Sequence, residues 1–314
     1  MSIVAMSETV GSGGMEIGRA LATELGWEFA DREIITKAAE AFGEGVMDLK
    51  HATEEKPTLW DRFRQSQRRY VTYVEAIVLE MAARDNVVLV GRASTVILGD
   101  VPHALRVRVI APERMRAERL ERQLGLTSEA ALEYVREADR DLAARVRFLY
   151  HLDWEEPLLY DVVLNTERLS VARAVALLSE RLLDERLTLT DVSRQALRDR
   201  SLAAHARAAL LANPTTRPRA IGVTVAGGSV ELTGRVETAA ERQAAEEAVA
   251  RIPGVASVRN GLVVFASVDA SLSHGQFRHG EERSWGGYGG GGYERERQPE
   301  QREPDSDRRP QPPA

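Results

Sequence analysis

Met1-Ser-Ile-Val-Ala-Met-Ser-Glu-Thr-Val-Gly-Ser-Gly-Gly-Met-Glu-Ile-Gly-Arg19 reads as a buried strand, a glycine-rich turn and a helix start in immediate succession. Ile3, Val4, Ala5 and Met6 form a short apolar run. Gly11, Ser12, Gly13 and Gly14 carry too little side chain to block close approach, and Glu16 to Leu25 brings apolar residues at helical spacing. A strand feeding a glycine turn at a helix N-terminus aims backbone N–H groups at a phosphate, which makes Gly11, Ser12, Gly13 and Gly14 the candidate contacts. The same residues also suit a tight turn chosen only for its backbone angles. The full phosphate-loop pattern G-x-x-x-x-G-K-[ST] ends in a lysine that neutralises terminal phosphates, and no lysine occurs between Met1 and Lys37.

Outward from that segment, short apolar strands alternate with longer helices. Ile3 to Met6, Val87 to Val90, Leu105 to Ile110 and Asp161 to Leu164 are the expected strands. Helices are expected near Glu16 to Leu25, Glu33 to Ala41, Tyr70 to Arg84, Pro112 to Leu124, Ser128 to His151 and Val171 to Leu187. The alternation predicts an α/β domain over residues 1–187, with a parallel sheet covered by helices and ligands beyond the carboxyl ends of its strands. From Leu187 the pattern changes. Ser201 to Ala212 reads as an alanine- and leucine-rich helix, and Ile221 to Ala226 and Ser229 to Val236 alternate around Gly227-Gly228 as a hairpin. A helix from Ala239 to Arg251 and a strand from Val255 to Val264 complete a small α+β domain over residues 188–268. Residues 269–314 hold hardly an aliphatic side chain and are expected to form a disordered tail.

Composition narrows the function. With 43% hydrophobic and 29% charged residues, 314 residues suffice for two globular domains. No apolar run approaches the roughly 20 residues of a membrane span, and the N-terminus lacks a signal-peptide pattern. The absence of cysteine removes thiolate catalysis and disulfides and suits a cytoplasmic location. A net charge of -6 argues against specific nucleic-acid binding. The six histidines show no metal-ligand spacing, and His51, His103, His151 and His205 read as surface or hydrogen-bonded residues.

The glycine turn, then Phe29-Ala-Asp-Arg-Glu-Ile-Ile35, Val87-Val-Leu-Val-Gly-Arg92, Arg106-Val-Arg-Val-Ile-Ala-Pro112 and Leu159-Tyr-Asp-Val-Val-Leu-Asn-Thr166 follow in an order that resembles the cytidylate kinase-like family of phosphate-loop nucleoside monophosphate kinases. The resemblance covers about Ile3 to Leu183. Separately, Val230-Glu-Leu-Thr-Gly-Arg-Val236 and Ile252-Pro-Gly-Val-Ala-Ser-Val-Arg-Asn260 are similar to a BON domain, a type of module associated with membrane or partner binding.

The first resemblance implies ATP- and Mg2+-dependent phosphoryl transfer to a pyrimidine nucleoside monophosphate of the CMP or dCMP type. Gly11, Ser12, Gly13 and Gly14 would wrap the donor phosphates, with the Ser12 hydroxyl open to a phosphate or a magnesium ion. Asp31 and Arg32, just after a short strand, would hold the acceptor, although Asp31 also suits a helix N-cap. Arg92, delivered by Gly91 to the ligand edge of the sheet, would bind a phosphate. Arg140, Arg145 and Arg147 fit a lid that closes over the transferring group, whereas Arg116, Arg119 and Arg122 read as a solvated helix face. Trp60, Arg62, Phe63, Arg64, Arg68, Arg69 and Tyr70 form a further cluster of undecided role. Two departures stand out. Met15 occupies the place of an expected arginine, and the arginine-glutamate pair expected before the glycines reads Glu8-Thr9. They favour an alternative, in which a catalytically weakened nucleotide-binding regulator passes occupancy to a BON-like domain that engages a membrane surface or a protein partner. Arg19, one turn beyond Met15, is a candidate to restore the missing charge.

Overall fold

The computed structural model describes residues 2–31, 33–45, 60–217 and 219–265, with the side chains of residues 60–66 outside that description. The expected tail, residues 269–314, lies outside the described residues.

Strand β1 (Ile3–Glu8) is the centre of a five-stranded parallel sheet with β2 (Glu28–Ala30), β3 (Val87–Val90), β4 (Ala104–Ile110) and β5 (Val162–Asn165), in the order β2-β3-β1-β4-β5. Side chains alternate across a strand, and both faces of β1 are buried. Ile3 and Ala5 join Val87 and Leu89 in one core, while Val4 and Met6 join Val88, Val90, Leu105 and Val107 in another. The first core is closed by α2 (Glu33–Phe42) and α3 (Trp60–Ala82), the second by α1 (Gly14–Leu25) and α7 (Val171–Arg181). The short α4 (Ser94–Ile97) follows β3, and α5 (Glu113–Leu124) and α6 (Ser128–Tyr150) follow β4. The chain leaves β1 for β2 on one side and later crosses to β4 on the other. The carboxyl end of β1 is therefore the topological switch point, where an open sheet leaves a crevice.

The helix expected at Ser201 begins ten residues earlier, as α8 (Asp191–Ala212), because Thr190 and Ser193 form a reciprocal capping box that starts it at Asp191. This helix serves two cores. Leu197, Ala204, Ala208 and Leu211 pack into the first core of the large sheet. Ala206 and Leu210 pack under the small one, built from β6 (Ile221–Ala226), β7 (Ser229–Val236), β8 (Ser257–Val264) and α9 (Ala239–Ala250). Polar links reinforce both attachments. His205 pairs with Glu80 and Arg207 with Glu75 on α3, while the Asp199 carboxylate accepts the N–H groups of Gly227 and Gly228 in the β6–β7 turn. Both of those glycines have positive φ, +56° and +79°, as a two-residue hairpin turn requires. β7 pairs antiparallel with β6 and parallel with β8.

His103 departs from the surface or hydrogen-bonded reading. It is fully buried, neither ring nitrogen has a hydrogen-bond partner, and burial pushes its pKa down toward the neutral imidazole.

Candidate functional site

The glycine turn hangs between β1 and α1. Gly11 and Gly13 have φ of +75° and +86°, in the left-handed region that side chains avoid. Gly11 is also needed for space, since a Cβ there would lie 2.9 Å from the Arg116 carbonyl oxygen on α5. The corresponding point on Gly13 makes ordinary contacts of 3.7 Å with the side chains of Arg119 and Glu16, so here it is the backbone angle and not crowding that requires glycine.

What holds the turn comes from more than a hundred residues away. Arg119 donates to the carbonyls of Gly11 (3.1 Å), Ser12 (2.9 Å) and Thr166 (3.0 Å) and to the Thr166 hydroxyl, which itself donates to the Ser12 carbonyl at 2.6 Å. Arg116, only 5% exposed, donates to the carbonyls of Val10 and Ala111 and grips the Asp139 carboxylate with two bonds of 3.0 and 2.6 Å. The solvated reading of these two arginines is therefore corrected. A guanidinium offers five fixed donors, and here they tie the turn's carbonyls from behind, while within the turn the Ser12 N–H donates to the Thr9 carbonyl at 3.0 Å. Arg122 does conform to that reading, donating only to the Glu118 carbonyl of its own helix. The magnesium role expected of Ser12 does not match its placement. Its hydroxyl is fully buried and donates to the Val109 carbonyl at 3.1 Å.

The forward side holds a carboxylate. Glu8, at the end of β1, accepts the backbone N–H of Met15 at 3.1 Å, with the N–H of Gly14 beside it. Burial, with Glu16 and Asp31 nearby, raises its pKa to about 7 against the pull of those two amides. The Arg19 guanidinium, the candidate to restore the charge expected at Met15, lies 4.6 Å over the Phe29 ring, and it lines one cavity with Met15, Phe29, Asp31 and Glu33.

Beside the turn, two cavities share Glu8 as a wall. The first, about 110 Å³, lies at the ends of β1 and β3 and brings Asp31 and Arg92 together with Trp154 and Tyr160. Gly91, Arg92 and Ala93 all have positive φ, +75°, +54° and +55°. Two consecutive non-glycine residues in this region mark a backbone held by its surroundings, and the buried Arg92 Nε has no hydrogen-bond partner among the described residues. The far wall depends on Arg108 of β4, which the sequence reading passed over. It is 6% exposed, donates to the Tyr160 hydroxyl at 3.0 Å and to the Trp154 carbonyl, and lies 4.1 Å over the Trp154 ring. The alternation of Arg106 and Arg108 with Val107 and Val109 was its only signal.

The second cavity, about 420 Å³, runs along α6 and is lined by Glu8, Glu137, Asp139, Asp141 and Arg145. Of the three expected lid arginines only Arg145 faces it. Arg140 is exposed with Nε donating to the Arg136 carbonyl, and Arg147 is exposed with Asp153 4.0 Å away. Arg32 lies outside the described residues, as do the side chains of Trp60, Arg62, Phe63 and Arg64. Arg69 pairs with Glu44, Tyr70 is buried, and Arg68 lines a separate cavity against α8.

A parallel sheet with a glycine turn at its central strand and a polar crevice at the switch point is the architecture of phosphate-loop kinases. Residues 3–168 match the model of the cytidylate kinase-like family, and residues 198–265 match the BON domain. The chain belongs to the cytidylate kinase-like family. It is 30% identical over 168 residues to the cytidylate kinase of Ignicoccus hospitalis, covering 53% of this chain and 90% of that protein. It is 29% identical over 170 residues to the cytidylate kinase of Natronomonas pharaonis, covering 54% and 82%. Among solved structures it is similar to the shikimate kinase of Bacteroides thetaiotaomicron at 16% identity and a TM-score of 0.37, over 58% of this chain and 98% of that one, a likeness too slight to add to the family match.

Proposed function

We propose that the N-terminal half is a nucleotide kinase that transfers the terminal phosphoryl group of ATP to a pyrimidine nucleoside monophosphate of the CMP or dCMP type. The observation that carries this reading is the meeting, at the switch point, of a forward-facing glycine turn and a cavity holding Asp31 and an Arg92 with an unpartnered donor. The turn would receive the donor phosphates on backbone N–H groups, and Arg92 would hold the acceptor phosphate. Arg32 would join Asp31 on the acceptor, and Arg145, with Arg140 and Arg147 brought in by movement of α6, would balance charge on the group in transfer. An acceptor phosphate is already ionised, so the reaction needs alignment and charge rather than a general base. Among the described residues no group of three or more acidic or histidine side chains gathers to hold a metal. Together with the engaged Ser12 hydroxyl, this supports magnesium arriving on the phosphates of the nucleotide rather than in a protein cage.

One observation favours a second reading. The Glu8 carboxylate on the Gly14 and Met15 amides supports a protein whose turnover is weakened and whose nucleotide occupancy serves regulation. In either case the BON-like half would engage a membrane surface or a protein partner. No helix among the described residues is long and apolar enough to cross a membrane. The deciding experiment is initial-rate ADP formation with CMP, dCMP and UMP as acceptors, run beside a nucleotide-binding titration. Turnover with a pyrimidine monophosphate supports the kinase, binding without turnover supports the regulator, and neither overturns both.

A further inference from the structure

Glu8 sits where a ligand belongs. The N–H groups of Gly14 and Met15 open α1, so they are donors without helical partners and carry the positive end of the helix dipole. In this chain a Glu8 carboxylate oxygen takes the Met15 N–H at 3.1 Å and lies directly against Gly14. The fit is close, since a Cβ built on Gly14 would lie 2.6 Å from that oxygen and 2.7 Å from the Glu8 Cβ. A carboxylate on those amides presents the charge and the acceptor geometry of a phosphate oxygen, and two anions cannot share the seat. Its surroundings do not neutralise it. Glu16 faces it from α1, Asp31 from the end of β2, and Glu137, Asp139 and Asp141 from α6. Among the described residues lining the two cavities, Arg92, after β3, and Arg145, on α6, are the cations that oppose them, and Asp139 is already bound to Arg116.

We propose that Glu8 is a built-in competitor for the donor site: its carboxylate occupies the phosphate seat at the start of α1, and an incoming polyphosphate binds there only by displacing it. The inference rests on the donor-site reading of the glycine turn. Displacement moves the Glu8 side chain beside further negative charge, which raises its affinity for a proton still more, so the polyphosphate and a proton bind together. The carboxyl already titrates near pH 7 in the free protein. Donor affinity is therefore at its strongest below that pH and falls by up to about tenfold per unit above it, the limit for one linked proton. The seat thus couples nucleotide occupancy to pH in the range where cells work, and it discriminates against anions that cannot displace a carboxylate.

The test is calorimetric titration of the full chain with ADP and magnesium from pH 6 to pH 8.5, in the wild type, Glu8→Gln and Glu8→Ala, repeated in two buffers of different ionisation enthalpy to count protons. The nucleotide's own titration is common to all three, so the differences isolate Glu8. At pH 8 Glu8→Ala is expected to bind at least tenfold more tightly than the wild type. The wild type alone is expected to take up close to one additional proton on binding. Glu8→Gln keeps the shape and loses the charge, and it is expected to fall between the two with no additional proton. That variant also keeps the test valid should the alanine variant fail to fold. Equal affinities and equal proton counts in wild type and variants, or weaker binding in both variants, would overturn the competitor role and leave the donor-site reading standing. Absence of binding by folded protein of all three kinds would overturn that reading as well. Binding by the variants alone would uphold both.

Discussion

The glycine turn and the Arg92 crevice lie side by side at the same end of the sheet, yet they treat positive charge in opposite ways. Behind the turn, the donors of Arg116 and Arg119 are engaged by carbonyls, Thr166 and Asp139, and in front stands the carboxylate of Glu8. In the crevice, Arg92 is held in a left-handed backbone conformation with a buried donor that finds no partner. One side has cations that shape the backbone and an anion where a ligand would go. The other has a cation whose buried Nε meets no acceptor among the described residues. An arginine near a phosphate-type turn is thus no measure of phosphate binding until its donors are accounted for, because a guanidinium already satisfied by protein has little left to offer a ligand.

The contrast breaks most visibly at Arg116. Its replacement by alanine leaves Asp139 without its partner and frees the Val10 carbonyl, and is expected to cost about 2–4 kcal/mol of stability, reduced from the fully buried case by the partial exposure of Asp139. Thermal or urea unfolding measures it, and a loss below about 0.5 kcal/mol, the size of an ordinary surface change, would show that the turn is not pinned from behind. Arg92→Ala should act on binding instead. Loss of a charged donor to the acceptor phosphate is expected to raise KM for the monophosphate by about tenfold to a hundredfold, on the scale of 1.5–3 kcal/mol per charged hydrogen bond. The melting temperature and the KM for ATP should barely move. An equal rise in both Michaelis constants would erase the distinction between the two sides.

Glu8 offers a stability test that needs no nucleotide. In the folded chain its carboxyl holds a proton up to about pH 7, against 4.5 for the ordinary value. The native state therefore binds more protons than the unfolded one between these limits, and stability falls as pH rises through them. Glu8→Gln removes that penalty. Relative to wild type it should change nothing in pH dependence below about 4.5 and gain about 1–3 kcal/mol by pH 8. A constant difference across the range would place the Glu8 pKa at its ordinary value. The smallest effect is expected from Met15→Arg. It returns charge beside the turn, but Glu8 still holds the Met15 amide, and a gain of about twofold to tenfold in initial rate is expected, far below the 10³ to 10⁵ of an arginine finger. A gain of that larger size would show that the missing cation, and not the carboxylate, limits the donor side.

The unbroken apolar run from Ile3 to Met6 implied a buried strand, and the glycines at 11, 13 and 14 marked a turn that no bulky residue could make. The doubled glycine at 227–228 likewise fixed a hairpin on local grounds. These features are legible because they depend on backbone geometry within a few residues. The three-residue β2 carries too little periodicity to be read from its own residues and was expected only through the resemblance, and the start of α8 turned on a cap rather than on its apolar pattern. At the site, the strand-and-glycine motifs named Arg92 and the glycines, while Arg108, Arg116, Arg119 and Thr166 acquired their roles only through folding.

By itself, then, the amino-acid sequence determined the strand, turn and helix order, the family, and two departures from the family's pattern of charge, a carboxylate at Glu8 and a missing cation at Met15. Only the tertiary structure decided what those charges do. Whether a carboxylate points to solvent or onto two amides, and whether an arginine faces a ligand or the back of a loop 108 residues away, depends on which elements approach each other in space. Hydrogen bonds act over about 3 Å and say nothing along the chain, so their partners are settled by packing and not by spacing.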